Sequence, residues 1–320
     1  MGRQLVRTLL AKGQRVVCVV RRPTALTEEP LFSSPGVSLL ECDFTQEGWE
    51  EQIAPVLSSC RAIFHLAGAM PHTSGVARGA GLLRKINVEV VQRLYRLAAS
   101  NQVGKFLFVS SLAVYGESFP EPRDETAKIA PEGLYARTKA EAEGILVAGA
   151  MAGGPAALIV RPGLIYGERD VGVIQRLIAL IDRGYFRILG NGHNTRSISS
   201  VRLVVEALCA LAESEEQVAV INVVDPQLPT MARLAVDIAD LLGVPRPRHL
   251  PLSLAYPVSA VFSALASVGV RSSFKLSDVR KISTSNLVRG ERLRKLLGGI
   301  PNYYQESLAA DVAWYRRGGS

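Results

Sequence analysis

Apolar residues recur along this chain with two alternating periods. Over 3–12, Leu5, Val6, Leu9 and Leu10 fall on one side of a helix, and Lys12–Gly13 supply a base and a glycine where it would end. The next run, VVCVV, is continuously apolar and reads as a buried strand. It belongs to a strand pattern over 14–20, and further ones lie at 37–42, 61–67, 104–110 and 156–161, with helical patterns near 47–57, 79–99 and 133–150 between them. Apolar strands alternating with amphipathic helices predict an α/β fold, a doubly wound parallel sheet covered on both faces. After residue 165 the rhythm loosens. Helices are expected at 171–183, 200–213, 230–242, 253–268 and 304–317, and a strand at 218–224.

The first helix and strand are the back half of a βαβ unit. In dinucleotide-binding units of this kind a Gly-rich turn joins strand to helix, and Gly2 stands where its last glycine belongs. The expectation is therefore a first strand missing by truncation, about ten residues long with its turn.

Size and composition narrow the class. The 320 residues, 48% apolar, suit one large α/β domain or a domain and a half. Cys18, Cys42, Cys60 and Cys209 form no CxxC pair or Cys/His cluster, and no two of the four histidines share a helical turn. No disulfide and no metal site is expected, and no leader pattern precedes the fold, so a cytoplasmic protein is expected. The uncharged stretch 252–270 reads as an amphipathic helix with Val258, Val261, Phe262 and Leu265 on one stripe, a weak membrane-surface contact being the lesser reading. Net charge is +8, and it is concentrated. Residues 271–297 hold eight bases against Asp278 and Glu291, which suits an anionic substrate or anionic lipid. The bases are not interleaved with aromatics, so nucleic acid is not expected as a partner.

Candidate chemistry lies in two stretches. In Tyr135-Ala-Arg-Thr-Lys139 the phenol and the ammonium are four residues apart on one helical face, and a nearby cation lowers a phenol pKa. Such a pair can exchange a proton with an alcohol or ketone near neutral pH. In FLFVSSLAVYG, residues 106–116, a buried strand ends at Ser110–Ser111, where open α/β sheets bind ligands. A packed helix tyrosine and a strand-end serine cap are the plain structural readings of the same residues.

Taken in order, CDFT (42–45), HLAGA (65–69), INVE (86–89), VSSLAVYG, YARTK, IVRPGLIYGERD (159–170) and the closing LGGIPNYYQESLAADVAWYRR resemble the extended short-chain dehydrogenase/reductases, the NAD-dependent epimerase/dehydratase family. The stretch FKLSDVRKISTSN resembles the 3β-hydroxysteroid dehydrogenase and dihydroflavonol reductase branches. The resemblance implies a Rossmann-type sheet with a smaller mixed C-terminal substrate lobe. It places the dinucleotide domain at 1–164, with 200–224 returning to it, and the lobe at 165–199 and 225–320. It implies Tyr135 as acid/base, Lys139 as its partner and a ribose contact, Ser111 orienting the substrate oxygen, and Asn87 supporting the site. Cofactor contacts would come from Gly2, Arg21, Arg22, Asp43, Phe44, Leu66, Ala67, Gly68, Val109, Pro162, Gly163 and Leu164, besides Tyr135 and Lys139.

Two departures refine this. The strand at 14–20 ends in Arg21–Arg22, where an acid would receive a ribose hydroxyl, so NADP(H) is expected over NAD(H). Leu112–Ala113 stand where dehydratases of the family carry acids, so water elimination is disfavoured. The expected activity is hydride transfer at a secondary alcohol or ketone, with a nucleotide sugar as substrate. An apolar hydroxy/keto compound is the alternative substrate, and a catalytically impaired scaffold is the non-enzyme alternative. A homodimer is expected through 79–99 and 133–150, on the apolar faces of Leu82, Leu83, Ile86 and Val90 and of Ala136, Ala140, Ile145 and Leu146.

Overall fold

β4 (Lys105–Val109) and β6 (Ala156–Pro162) are the most deeply buried strands of the main sheet, and they occupy its middle. The computed structural model describes residues 1–23, 26, 29–70, 80–169, 172–254 and 284–319. β1 (Val16–Val20) pairs in parallel with β2 (Val37–Glu41). β3 (Ala62–His65), β4, β6 and β10 (Val218–Val223) form a separate parallel sheet in the order β10-β6-β4-β3. The pairing runs Ile63↔Phe106↔Ala157 and Ile159↔Val220 across the strands.

Side chains alternate across a strand, so each central strand feeds two cores. Phe106, Phe108 and Ile159 point to one face, with Trp49 and Ile53 of α2 (Trp49–Leu57), Val91 and Leu94 of α4 (Val90–Ser100) and Leu146 of α5 (Gly133–Met151). Leu107, Leu158 and Val160 point to the other, against Leu203, Ala207 and Leu208 of α7 (Val201–Glu213). α1 (Gly2–Ala11) joins that side through Leu5, which packs with Val201, Val205 and Cys209. α3 (Ala80–Arg84) runs through a π turn at Lys85–Glu89 into α4.

The parallel sheet covered on both faces is thus present. Its two parts are not bonded to each other. A cavity of about 1590 Å³ separates β1 from β3, lined by Val17 and Val19 on one edge and Ile63 and Phe64 on the other. The 3-2-1-4-5-6 order places a strand between those two edges, and none lies there among the described residues.

A second core gathers Tyr166, Ile174, Ile178, Ile238 and Leu308 from β7 (Leu164–Tyr166), α6 (Val173–Asp182), α8 (Met231–Leu242) and α10 (Tyr304–Arg316). Short parallel pairs surround it or bridge toward the main sheet: β7 with β9 (Ile198–Ser200), β8 (Ile188–Leu189) with β11 (His249–Leu250), and β5 (Phe119–Arg123) with β12 (Asn286–Val288). The sequence reading missed all of these strands except the main-sheet ones, because two to five residues with polar insertions show no period. It also missed α9 (Glu291–Leu297), which packs on α7 and β10.

Leu83, Val90, Ala136 and Leu146 are buried within the chain itself, so they are unavailable to a partner. Arg292, one of the eight bases of 271–297, sits on α9 and pairs with Glu216 at 3.0 Å on the surface. From residue 255 on, the helix expected at 253–268 lies outside the described residues, as do Arg271, Lys275, Arg280 and Lys281. No helix among the described residues is long and apolar enough to cross a membrane.

Candidate active site

Parallel strands deliver the residues that follow them to one edge. The carboxyl edge of the main sheet carries Leu66–Gly68 after β3, Ser110–Ser111 after β4 and Pro162–Gly163 at the end of β6. Ser111 is extended, and its Oγ accepts from the Ala113 N–H at 3.2 Å, starting a 3-10 turn over Leu112–Tyr115. The same hydroxyl faces the Tyr135 phenol on the first turn of α5, near enough to lower its pKa.

Lys139 lies one turn further along α5 and is buried. Its Nζ donates to the Val109 carbonyl at 2.9 Å and stands 4.6 Å from the centre of the Phe108 ring. Burial pulls its pKa down to about 8, and the Glu143 carboxylate partly offsets that shift. The expected lowering of the Tyr135 pKa by Lys139 does not occur. Burial pushes the phenol up, the Ser111 hydroxyl pulls it back, and the ammonium is turned to the Val109 carbonyl instead. His65, at the end of β3, is buried against Phe106 and Phe108 and held neutral, its pKa down to about 3 through burial and the nearby Lys139 charge.

Asn87 projects from the π turn and closes a clasp. Its Oδ1 accepts from the Ala69 N–H at 2.8 Å, and its Nδ2 donates to the Ala69 carbonyl at 3.0 Å and to Thr138 Oγ1 at 3.1 Å. Thr138 in turn donates to the Tyr135 carbonyl at 2.8 Å. The turn after β3 is thus tied to α5, and each buried group left unpaired would cost about 1–3 kcal/mol. A Cβ placed on Gly68 would stand 3.3 Å from Lys139 Nζ and 3.6 Å from Asn87 Oδ1. Only glycine leaves that approach open.

The remaining expected contacts divide. Arg21 and Arg22 are exposed at the end of β1, close enough to lower the Asp43 pKa, although the Thr45 hydrogen bonds lower it more. Asp43 Oδ1 accepts from Thr45 N and Oγ1 at 2.9 and 2.8 Å, so it caps its own turn. The Phe44 ring packs edge-on against Trp49, with centroids 5.0 Å apart. Leu66 is half-buried, while Ala67 and Gly68 are exposed. Gly2 opens α1 with room to spare, since an added Cβ would lie 3.9 Å from Leu66 Cδ1, an ordinary contact. Gly163 is pinned elsewhere: its N–H donates to Ser199 Oγ at 2.8 Å, and Leu164 pairs with Ile198 in β9.

The sequence reading did not single out Glu143, Arg161 or Thr138. A signal was available for two of them. Glu143 follows Lys139 by one helical turn, and Arg161 ends an otherwise apolar strand, AALIV.

Open parallel α/β sheets bind their ligands at this carboxyl edge, which makes it the candidate site here. Residues 1–223 match the NAD dependent epimerase/dehydratase family, and the chain belongs to it. It is 28% identical over 255 residues to UDP-glucuronic acid decarboxylase 1 of Arabidopsis thaliana, covering 76% of this chain and 56% of that protein. To the N-acetyl-alpha-D-glucosaminyl-diphospho-ditrans,octacis-undecaprenol 4-epimerase of Escherichia coli O157:H7 it is 29% identical, covering 57% and 56%. A 4-hydroxy-2-methyl-3-oxo-4-farnesyl-3,4-dihydroquinoline-1-oxide ketoreductase of Stigmatella aurantiaca is 29% identical, covering 67% and 61%. The chain thus spans little more than half the length of the curated relatives it matches. Among solved structures, the UDP-N-acetylglucosamine 4-epimerase of Methanobrevibacter ruminantium M1, in complex with UDP-N-acetylmuramic acid, superposes with a TM-score of 0.77 at 22% identity, covering 99% and 95%. The fold is shared.

Proposed function

We propose that this chain interconverts a hydroxyl and a ketone on a nucleotide sugar, as an epimerase-type oxidoreductase, with Tyr135 as acid/base. The observation that carries the reading is the placing of the Ser111 hydroxyl beside the Tyr135 phenol at the carboxyl edge of the sheet, near enough to lower its pKa, with Lys139 buried one helical turn behind. Tyr135 gives or takes the proton of the substrate hydroxyl. Ser111 steadies that oxygen and favours the ionised phenol. The Lys139 ammonium, charged below about pH 8, supplies positive charge behind the pair.

The residues fit a nicotinamide dinucleotide. The Cβ-free face of Gly68 lies against Lys139 Nζ, leaving an approach for a ribose, and the start of α1 with Gly2 suits a pyrophosphate. Bound there, the cofactor supplies and takes back the hydride. Val109 and Leu66–Gly68 would line its path and Asp43 and Phe44 its adenine end, while Pro162–Leu164 would lie toward the nicotinamide. Arg21 and Arg22, exposed at the end of β1, are placed for a ribose phosphate, which supports NADP(H) over NAD(H). The substrate would lie between the dinucleotide domain, 1–164 with 200–224, and a lobe of 165–199 and 225–320. The relatives support a UDP-sugar, since several carry that substrate in their names.

The test is incubation with UDP-hexoses and UDP-hexuronic acids, followed by proton NMR of the sugar and absorbance of the reduced cofactor. The expected result is a new sugar epimer with no net cofactor turnover. Stoichiometric NADPH consumption with an apolar ketone would select the ketoreductase reading, and no cofactor binding by fluorescence would select the scaffold. In the same assays NADPH should bind more tightly than NADH, and Arg21→Asp should weaken NADPH by about tenfold or more, the loss of one charge-assisted contact.

A homodimer would use what the fold leaves open on α3–α4 and α5. Leu82, Ile86 and Ile145 are half-buried in the single chain, and Ala140, also half-buried, packs against the cluster of Leu112, Val114 and Tyr115. Light scattering at micromolar concentration should read twice the 34.5 kDa chain mass, and a monomer would refute this contact.

A further inference from the structure

Arg161 is a charged residue at the end of a fully buried strand, with β4 on one side and β10 on the other. Its guanidinium grips Glu143 with two nitrogens, Nε to Oε1 at 3.0 Å and Nη2 to Oε2 at 2.6 Å. Nη1 donates to Tyr115 Oη at 2.7 Å, and that hydroxyl donates to Asn222 Oδ1 at 2.9 Å. The guanidinium also stands 4.9 Å from the centre of the Tyr115 ring. Glu143, Arg161, Tyr115 and Asn222 are all buried. Burying an ion pair gains little stability over apolar packing of the same volume, so stability alone is a poor reason for this one. Its position supplies another reason. Glu143 is one turn beyond Lys139 on α5. Tyr115 ends the 3-10 turn that Ser111 begins.

We propose that Arg161 is the positioning residue of this site: by gripping Tyr115 and Glu143 together it sets the separation of the Ser111 turn from α5 and holds a carboxylate beside the Lys139 ammonium. The inference rests on the reading of Ser111, Tyr135 and Lys139 given above. Lys139 faces Glu143 from its own helix, neutral His65 from β3, the Phe108 ring and Val109 carbonyl from β4, and the Asn87 amide near Gly68. Among these only Glu143 carries a negative charge at neutral pH. Without that charge the Lys139 ammonium loses its proton at lower pH, and the alkaline limb of turnover follows it.

Three variants test this in the whole protein: Tyr115→Phe, Arg161→Lys and the charge-neutral double change Glu143→Gln with Arg161→Gln. Each is checked for folding by thermal melting. Lys139 is titrated directly by the chemical shift of its ε-carbon in lysine-labelled protein, assigned with Lys139→Met. The double variant should move the Lys139 titration below that of the wild type and shift the alkaline limb of kcat with it. Tyr115→Phe keeps the ion pair, so the titration should stay while kcat falls by roughly tenfold to a hundredfold through lost alignment, with KM little changed. Arg161→Lys keeps the charge but reaches one partner, and should resemble Tyr115→Phe. A folded double variant with the wild-type titration and limb would overturn the proposal, as would wild-type kcat in Tyr115→Phe. If the double variant does not fold, the Tyr115→Phe result decides. A displaced titration in a protein that turns over no substrate would sink the reading of function and leave the Glu143 charge effect standing.

Discussion

Tyr135→Phe should lower kcat by about 10²–10⁴-fold, the usual range for a positioned acid/base. Cofactor affinity should change little, because the lost hydroxyl faces Ser111 and the Lys139 contacts are untouched. The change removes one oxygen at a half-buried position and leaves the ring and the helix in place. Steady-state kinetics, paired with fluorescence titration of the reduced cofactor, separates the two effects. Turnover equal to wild type would remove Tyr135 from the chemistry. Loss of cofactor binding along with turnover would instead place the phenol in the cofactor site.

Gly163→Ala should destabilise the fold by about 1–3 kcal/mol or more, the range for overpacking a close contact. The added Cβ would stand 2.2 Å from the Ser197 carbonyl oxygen and 2.6 Å from its carbon. Both are backbone atoms of the segment entering β9, which is held by pairing with β7 and by the Ser199 hydroxyl bond to the Val223 carbonyl at 2.6 Å. Nothing there is a flexible side-chain end, so the strands must separate. Urea unfolding of the variant should show a lower midpoint, and an unchanged midpoint would mean that the β6–β7 turn relaxes freely. This demand is steric and independent of the cofactor-lining role that the family resemblance implies for Gly163.

The sheet strands and covering helices were legible in the chain because each spans several periods of its pattern. VVCVV and KFLFV read as strands, and the helices at 3–12, 133–150 and 200–213 fall within two residues of where they form. Ser111, Tyr135 and Lys139 were legible as candidates for a related reason. A strand end and a helical spacing of four are local features, and the fold has only to bring their two elements together.

What the tertiary structure alone decided involves contacts between distant segments. The aim of Lys139 at the Val109 carbonyl depends on where β4 meets α5. The Asn87 clasp joins residues 18 and 51 apart in sequence, and no spacing rule connects them. Arg161, Glu143, Tyr115 and Asn222 come from four different elements, so their hydrogen bonds exist only once β10, β6 and β4 are in register. The apolar residues Leu83, Val90, Ala136 and Leu146 look available on a helical projection, but the fold uses them for its own core. Periodicity shows that a face is apolar. Which neighbour covers it is settled by packing, because burial is non-directional and any matching surface can satisfy it.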